Sequence, residues 1–383
     1  MMTRRERLTA TLRGEPVDRP AFNFYEINGL EGTSTRDPFN VYSDPSWKPL
    51  LDLAAETTDR LVMRGVPFKA PGAAAAAWKP MPELAGKTER TIDADGNELT
   101  TFILRAGKRV LTQRTHRAPD INTVWTTEHL LKDEDDFKAW LDRPEDPTPP
   151  GEVDVQPIVD LETRLGDSGL VMLDTSDPLC AVAPLFDMAT YTVIALTERE
   201  LFHRALQREA RWLYPRIEAA ARALPGRLWR IYGPEYASPP YLPPALFAEY
   251  VTEYVKPMVD LIHRHGGYAR LHSHGRLKDI LDSICATGCD GLDPIEPPAQ
   301  GDVELAYVRE RYGRQLILFG NIEATDLENL PVPAFEKKVR QALKEGPGGR
   351  GFVLMPSACP YGRKLSSRTL ANYEAMVRCV NQG

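Results

Sequence analysis

The sequence predicts a (β/α)8 barrel of the TIM type, an α/β fold, with an antiparallel β-hairpin insertion after its second strand. Three observations point there. Eight short apolar, β-prone runs can be counted, and from about residue 155 each is separated from the next by a segment of helical periodicity. That alternation is what parallel strands with helical crossovers require. Polar and ionisable residues collect at the carboxyl ends of the runs, where barrel enzymes build their sites. No Gly-x-Gly-x-x-Gly follows the first run, which argues against an open dinucleotide-binding sheet.

Residues 3–14 predict a first helix, with Leu8 and Leu12 on one face and Gly14 and Pro16 as the stop. The first strand is Ala21-Phe-Asn-Phe-Tyr25, ending on Glu26. Residues 27–46, rich in Gly, Ser, Asp and Pro, read as a long functional loop. A helix over 47–57 leads to the second strand, Arg60-Leu-Val-Met-Arg-Gly-Val66. Polar and β-prone residues then alternate around Asp93-Ala-Asp-Gly-Asn97 and Ala106-Gly-Lys108, which places hairpin turns inside an insertion over about 87–117. Asp133-Glu-Asp-Asp136 opens a short helix, and 143–151, with four prolines, reads as a linker.

The remaining units follow in order. Helix 156–166 precedes strand Gly169-Leu-Val-Met-Leu-Asp174, and helices 184–195 and 198–223 precede Leu228-Trp-Arg-Ile-Tyr232. Helix 244–265 precedes Tyr268-Ala-Arg-Leu-His-Ser-His-Gly275. Helix 276–287 leads to Gly291-Leu-Asp-Pro-Ile-Glu296, and helix 302–312 to Gln315-Leu-Ile-Leu-Phe-Gly-Asn321. Helix 333–345 leads to Gly351-Phe-Val-Leu-Met-Pro356, and a last helix covers 366–380.

The 383 residues are 42% hydrophobic and 26% charged, an ordinary globular profile that one barrel spanning 1–383 can absorb. A net charge of −7 offers no basic face to a nucleic-acid backbone. No run approaches the ~20 apolar residues of a membrane span, and no signal peptide is recognisable. The five cysteines are odd in number and widely spaced, so they read as reduced thiols of a cytoplasmic protein, in which an oligomer is possible.

The strand ends supply the candidate site: Glu26, Asp174, Asp177, Glu235, His272, His274, Asp293, Glu296, Asn321, Glu323, Cys359, Tyr361 and Arg363. His272 and His274 are two apart at a strand terminus, so both imidazoles point one way while Ser273 points the other. They read either as half of a metal site or as a packed ring beside a proton shuttle. For zinc, three protein ligands with one open position is the catalytic pattern, and Cys359 is the natural third donor. Alone, Cys359 reads rather as a small buried hydrophobe. Asp293 and Glu296 read as a proline-braced rim turn, or as carboxylates that support the histidines from behind. Glu235, like them, could act as an acid/base group. Glu26, Asp174, Asn321 and Glu323 face small-molecule substrate in this reading, and Arg363 beside Tyr361 could hold a carboxylate or phosphate, or form a loop ion pair. Cys285 and Cys289 lack zinc-hairpin spacing, and Gly346-Pro-Gly-Gly-Arg-Gly351 precedes a strand, so both read as structural.

Thr3-Arg-Arg-Glu-Arg-Leu-Thr-Ala-Thr-Leu-Arg-Gly-Glu-Pro-Val-Asp-Arg-Pro20, His272-Ser-His-Gly275 and Leu318-Phe-Gly-Asn-Ile-Glu323 together resemble the uroporphyrinogen decarboxylase superfamily, over essentially the whole chain. The resemblance implies a TIM barrel and one of two chemistries. The decarboxylase branch holds its substrate with arginines after the first strand and carries a histidine after the last. Here Ala21 to Leu30 has no arginine, and Cys359-Pro-Tyr-Gly362 has no histidine. The methyltransferase branch binds zinc through His-x-Cys and a later cysteine, and moves a methyl group between a corrinoid protein and a thiol such as coenzyme M. Carried over by position, His272 and Cys359 match two ligands, and His274 replaces the first cysteine. That exchange leaves the site one negative charge short and makes a bound thiolate less electron-rich. The expectation is a zinc-dependent methyltransferase with a corrinoid partner protein. A metal-free decarboxylase or lyase using Arg363 and a histidine, and a non-catalytic corrinoid-type binding module, are the alternatives.

Overall fold

Strand alternation sorts the barrel residues into an inner and an outer layer, and that sorting positions the site. The computed structural model describes residues 1–69, 86–145 and 150–382, so part of the expected linker, 146–149, lies outside the described residues. The first two barrel strands are β1 (Ala21–Phe22) and β2 (Arg60–Arg64). Four insertion strands follow: β3 (Gly86–Ile92), β4 (Glu98–Ala106), β5 (Arg109–Arg117) and β6 (Val124–Glu128). The barrel resumes with β7 (Gly169–Ser176), β8 (Leu228–Tyr232) and β9 (Tyr268–His272). It ends with β10 (Gly291–Asp293), β11 (Ile317–Ile322) and β12 (Phe352–Pro356). Neighbours run β1-β12-β11-β10-β9-β8-β7-β2, every pair parallel, with helices between. This is the expected (β/α)8 barrel.

Inward-facing Ala21, Leu61, Met172, Leu228, Ile317, Phe319, Val353 and Met355 pack on one another as the barrel interior. The residues between them, such as Leu173, Ile231, Leu271 and Leu354, face the helices in a second, larger cluster. Burying each such aliphatic side chain contributes about 1.5–3 kcal/mol. Because both faces of the sheet are covered, its strands read as near-continuous apolar runs.

β1 and β2 share no ladder. Their seam is closed by Asp59, whose N–H donates to the Phe22 carbonyl at 2.8 Å and whose carboxylate accepts the Phe22 N–H at 2.9 Å. That carboxylate is fully buried and also takes Arg7 (2.5 Å) and Arg19 (2.8 Å). Arg7 in turn pairs with Asp18, so the amino-terminal helix Arg4–Arg13 is tied to the barrel floor.

Several expectations needed correction in extent, among them the first strand, expected over 21–25, which ends at Phe22 because the chain turns between Phe24 and Ile27. The insertion is a four-stranded sheet, longer than a hairpin pair over 87–117, because Val124–Glu128 adds a strand beyond Pro119. The helix expected at 184–195 begins at Met188, where Asp187 caps it, and a short helix Pro178–Val182 precedes it. The helix expected at 244–265 is divided, with a π-turn at Ala248–Thr252 ahead of Glu253–Arg264. Pro257 lies in the first turns of that last segment and lacks the N–H an unbroken α-helix would use there. Among the described residues no single helix is long and apolar enough to cross a membrane.

The seam gives a direct prediction. Replacing Asp59 with alanine strands two arginines and frees the Phe22 amide, so unfolding free energy should fall by about 3–5 kcal/mol. Urea unfolding monitored by circular dichroism measures it.

Candidate active site

The polar part of the barrel interior begins with two arginines that alternation turns inward. Asp174, Arg230 and Arg270 are register partners across β7, β8 and β9. Two guanidiniums side by side in a buried layer repel, and each is answered from the outer side. Asp174 takes Arg230 Nε at 2.7 Å and its second terminal nitrogen at 3.3 Å. Asp293 on β10 takes Arg270 Nε at 2.5 Å and its terminal nitrogen at 2.7 Å. Arg270 also lies over the Phe319 ring, 4.8 Å from its centroid.

Asp293 is shared with His272. The same Oδ2 that meets Arg270 lies 2.8 Å from His272 Nδ1. Burial alone would raise the Asp293 carboxyl, but Arg270 and His272 overcome it and hold it below the ordinary carboxylate range. A carboxylate can only accept, so Nδ1 carries the hydrogen and Nε2 carries the lone pair. Nε2 has one neighbour at the limit of hydrogen-bond range, the Tyr25 hydroxyl at 3.5 Å.

Tyr25 is buried, and its φ of 59° is left-handed, a conformation a bulky residue holds at a cost of roughly 1–3 kcal/mol. Its hydroxyl accepts from Arg230 at 2.8 Å. Its ring is stacked beside that of His272, centroids 6.0 Å apart.

His274 lies just past the strand end, its ring 4.7 Å from that of His272 and edge-on to it, as their spacing predicts. Ser273 points away, its hydroxyl 3.0 Å from that of Ser238. Glu296 accepts from His274 Nδ1 at 2.9 Å and from the Gly275 amide at 3.1 Å. Burial would lower His274, but Glu296 outweighs it and the imidazole is raised; Glu296 is correspondingly lowered against its own burial. Glu323 lies beyond, accepting from the Ser357 hydroxyl at 3.1 Å while its second oxygen is buried without a partner. Burial, then the Glu296 charge, raises Glu323.

The expected third metal donor is elsewhere. Cys359 Sγ lies 3.5 Å from a Glu26 oxygen, and burial followed by Glu26 pushes the thiol well above its usual range. Among the described residues no three His, Cys, Asp or Glu side chains converge as a metal-holding group. His272 and His274 have the carboxylate backing typical of metal-bound imidazoles, yet with Cys359 they do not fit a three-donor zinc centre in this conformation.

The other sequence candidates divide. Asp174 is committed to Arg230, and Glu235, in the turn after β8, accepts the Gly233 amide at 3.0 Å. Glu26, half exposed, also sits 3.9 Å from Arg230. Asn321 and Glu323 border a narrow crevice with Asp326 and Lys338. Tyr361 is exposed, and its carbonyl receives the Asn122 amide. Arg363 is corrected from substrate holder to loop staple. Its guanidinium donates to the carbonyls of Pro38, Asn40 and Pro119 and to the Ser43 hydroxyl, which uses all five of its N–H groups. Tyr25, Arg230 and Arg270 were not among the sequence candidates. The available signal was parity: Arg270 is two residues before His272 and must share its face.

A cavity of about 570 Å3 opens at the opposite end of the barrel, lined by 14–20 and 347–352. Its lining has no imidazole or thiol, and Asp18, Arg19 and Arg350 there are already ion-paired. The paired imidazoles lie at the carboxyl end.

The family model for uroporphyrinogen decarboxylase (URO-D) matches residues 180–382, just over half of the chain. No curated protein matches the sequence. A solved methyltransferase from Methanosarcina mazei superposes with a TM-score of 0.59 at 16% identity, covering 100% of this chain and 99% of that one. D-psicose 3-epimerase determined with D-fructose gives 0.33 at 10% identity over 60% and 81% of the two chains. A xylose isomerase-like TIM barrel protein from Mycobacterium smegmatis, in complex with magnesium, gives 0.32 at 13% over 60% and 79%. At such identities these likenesses speak to the barrel alone.

The His274–Glu296 pair predicts a pH signature. His274 is raised from its ordinary 6.5, so its contribution to stability is full below pH 6.5 and is lost as pH rises through the elevated value. Glu296 is lowered from 4.5, so its contribution is full above pH 4.5 and is lost as pH falls through the depressed value. The stability difference between wild type and His274→Gln, from urea unfolding, should therefore be largest between pH 4.5 and 6.5 and shrink on both sides.

Proposed function

We propose that this chain, which belongs to the uroporphyrinogen decarboxylase (URO-D) family, is a methyltransferase-type enzyme in which His272 deprotonates a small thiol that then receives a methyl group. The observation that carries the reading is the Arg270–Asp293–His272 relay at the carboxyl end of the barrel. It fixes the imidazole tautomer, supports the imidazolium that forms, and leaves Nε2 as the one nitrogen able to take a proton. Glu296 and His274 form a second proton-handling pair beside it. The methyl donor in this reading is a corrinoid carried by a partner protein, as the family resemblance implies. The likeness of fold to a methyltransferase is consistent with that choice of branch.

Zinc takes no part in this derivation, because Cys359 faces Glu26. A metal-free carboxy-lyase would use the same two imidazoles, but it loses its expected acid-holding arginine, since Arg363 is spent on carbonyls.

The test measures methyl transfer from methylcobalamin to a panel of small thiols, with metal analysis of the same preparations. His272→Gln should lower turnover by about 10²–10⁴-fold, the usual worth of a positioned base, while Cys359→Ser changes it by a few-fold at most. Undiminished turnover in His272→Gln would sink the reading. Stoichiometric zinc that disappears with Cys359→Ser, together with activity, would replace it with metal activation.

A further inference from the structure

The amino-terminal end of a barrel is ordinarily a packed face that serves stability. Here it holds a cavity of about 570 Å3, a volume typical of small-molecule sites. Two loops wall it. Residues 14–20 lead into β1, and 347–352 lead into β12, the ladder partner of β1. Pro16, Val17, Pro20, Leu343, Phe352 and Val380 give the wall an apolar side.

Two guanidiniums, those of Arg19 and Arg350, border the same space, and neither is used up by its ion pair. Arg19 spends one terminal nitrogen, on Asp59 at 2.8 Å and on the Pro20 carbonyl at 2.9 Å. Arg350 gives one N–H to Asp290 and one to the Gln315 carbonyl at 2.9 Å. Of the five N–H groups on each, two are thus engaged and three are without a partner among the described residues. Positive charge is also in excess. Arg4, Arg7 and Arg19 share only Asp18 and Asp59, since Arg4 donates to the carbonyls of Ala55 and Thr58. Asp290 is divided between Arg350 and His263. Behind the glycine loop, Arg309 donates to the Gly313 and Gly351 carbonyls, while its Nε is buried without a partner. Glu15, the other carboxylate of the lining, is exposed to water. At Gly348, left-handed with a φ of 92°, a Cβ would meet nothing within 4 Å, so the loop leaves room beside Arg350.

We propose that this cavity is a second binding site, at the far end of the barrel from the imidazoles, for a small organic anion. Its carboxylate or phosphate head is held by Arg19 and Arg350, and its apolar body lies against Val17, Leu343 and Val380. Guanidinium N–H groups left unpaired beside uncompensated charge are what such a head completes. Arg19 stands two residues before β1 and Arg350 two before β12, so the ligand also braces the junction of the first and last strands.

The probes are phenyl phosphate and 3-phenylpropionate, with benzyl alcohol as the neutral control, titrated calorimetrically into the full-length protein. At least one anion should bind at one site per chain, raise the melting temperature, and lose affinity as salt is added. Which of the two binds identifies the head. Benzyl alcohol should bind about 10-fold more weakly or worse, and Arg350→Gln should cost the anion a similar factor. Leu343→Trp, which fills the apolar side, should abolish binding, and His272→Gln should leave it unchanged. Failure of both anions to bind, binding no tighter than that of benzyl alcohol, or affinity that survives both cavity variants overturns the inference. So does affinity lost in His272→Gln, which would place the anion at the opposite end. If Arg350→Gln melts too early to assay, Arg350→Lys replaces it, keeping the charge near Asp290 without the fork. Weaker binding there supports the site, and unchanged binding overturns it. None of these outcomes depends on the methyl-transfer reading.

Discussion

The carboxyl end of this barrel is organised by one electrostatic constraint, two arginines placed next to each other inside the sheet. Arg230 and Arg270 are register partners, and neither has room to turn away. Buried charges of one sign are tolerated only when each is paired and hydrogen-bonded. The flanking strands supply Asp174 and Asp293, which gives a line of alternating fork pairs across four adjacent strands. His272 and Tyr25 are both held from that line. Asp293 shares the Oδ2 that meets Arg270 with His272, and Arg230 turns a terminal nitrogen outside its fork to Tyr25.

The consequence is a site whose inner side chains are held in place by their neighbours. His272 is not free to rotate, because Asp293 is itself clamped by Arg270, and Tyr25 is held by a cation fixed on its other side. His274 and Glu296 form a shallower version of the same device, nearer solvent and without an arginine behind the carboxylate. Cys359 is a half-buried thiol facing an acid. The proposed chemistry is proton movement at a rigidly held imidazole, the kind of work that needs little rearrangement during the reaction.

What could be read from the sequence follows from the range of the forces involved. Strand periodicity is local, so the eight barrel strands and the shared face of His272 and His274 were legible, and so was the position of Asp293 and Glu296 at a strand terminus. Arg230 and Arg270 were hidden because an arginine within an apolar strand is normally read as pointing to water; their carboxylates come from other strands, and only the register brings them together. Tyr25 was hidden for a similar reason, since a left-handed φ leaves no trace in the residue type when the residue is not glycine. Arg363 misled in the opposite direction. Its placement beside Tyr361 in a terminal loop suggested a ligand, and the carbonyls that consume it come from segments far away in the chain. Cys359 could be expected at the mouth, but the orientation of its sulfur depends on Glu26 from the first strand's end.

The shortest barrel strand carries a temporal consequence. β1 is translated among the first residues, yet its ladder partner is β12, with Ala21 opposite Val353 and Phe22 opposite Leu354. Until the last strand leaves the ribosome, β1 lacks its ladder partner and is hydrogen-bonded to the barrel through Asp59. Tyr25 and Glu26 sit in the turn just after that strand, so His272 and Asp293 can be in place well before Tyr25 is fixed beside them. A nascent chain, or one cut short of β12, would hold a preformed proton relay with Tyr25 not yet fixed beside it. Completion of the site in this fold would thus arrive with the final segment of synthesis.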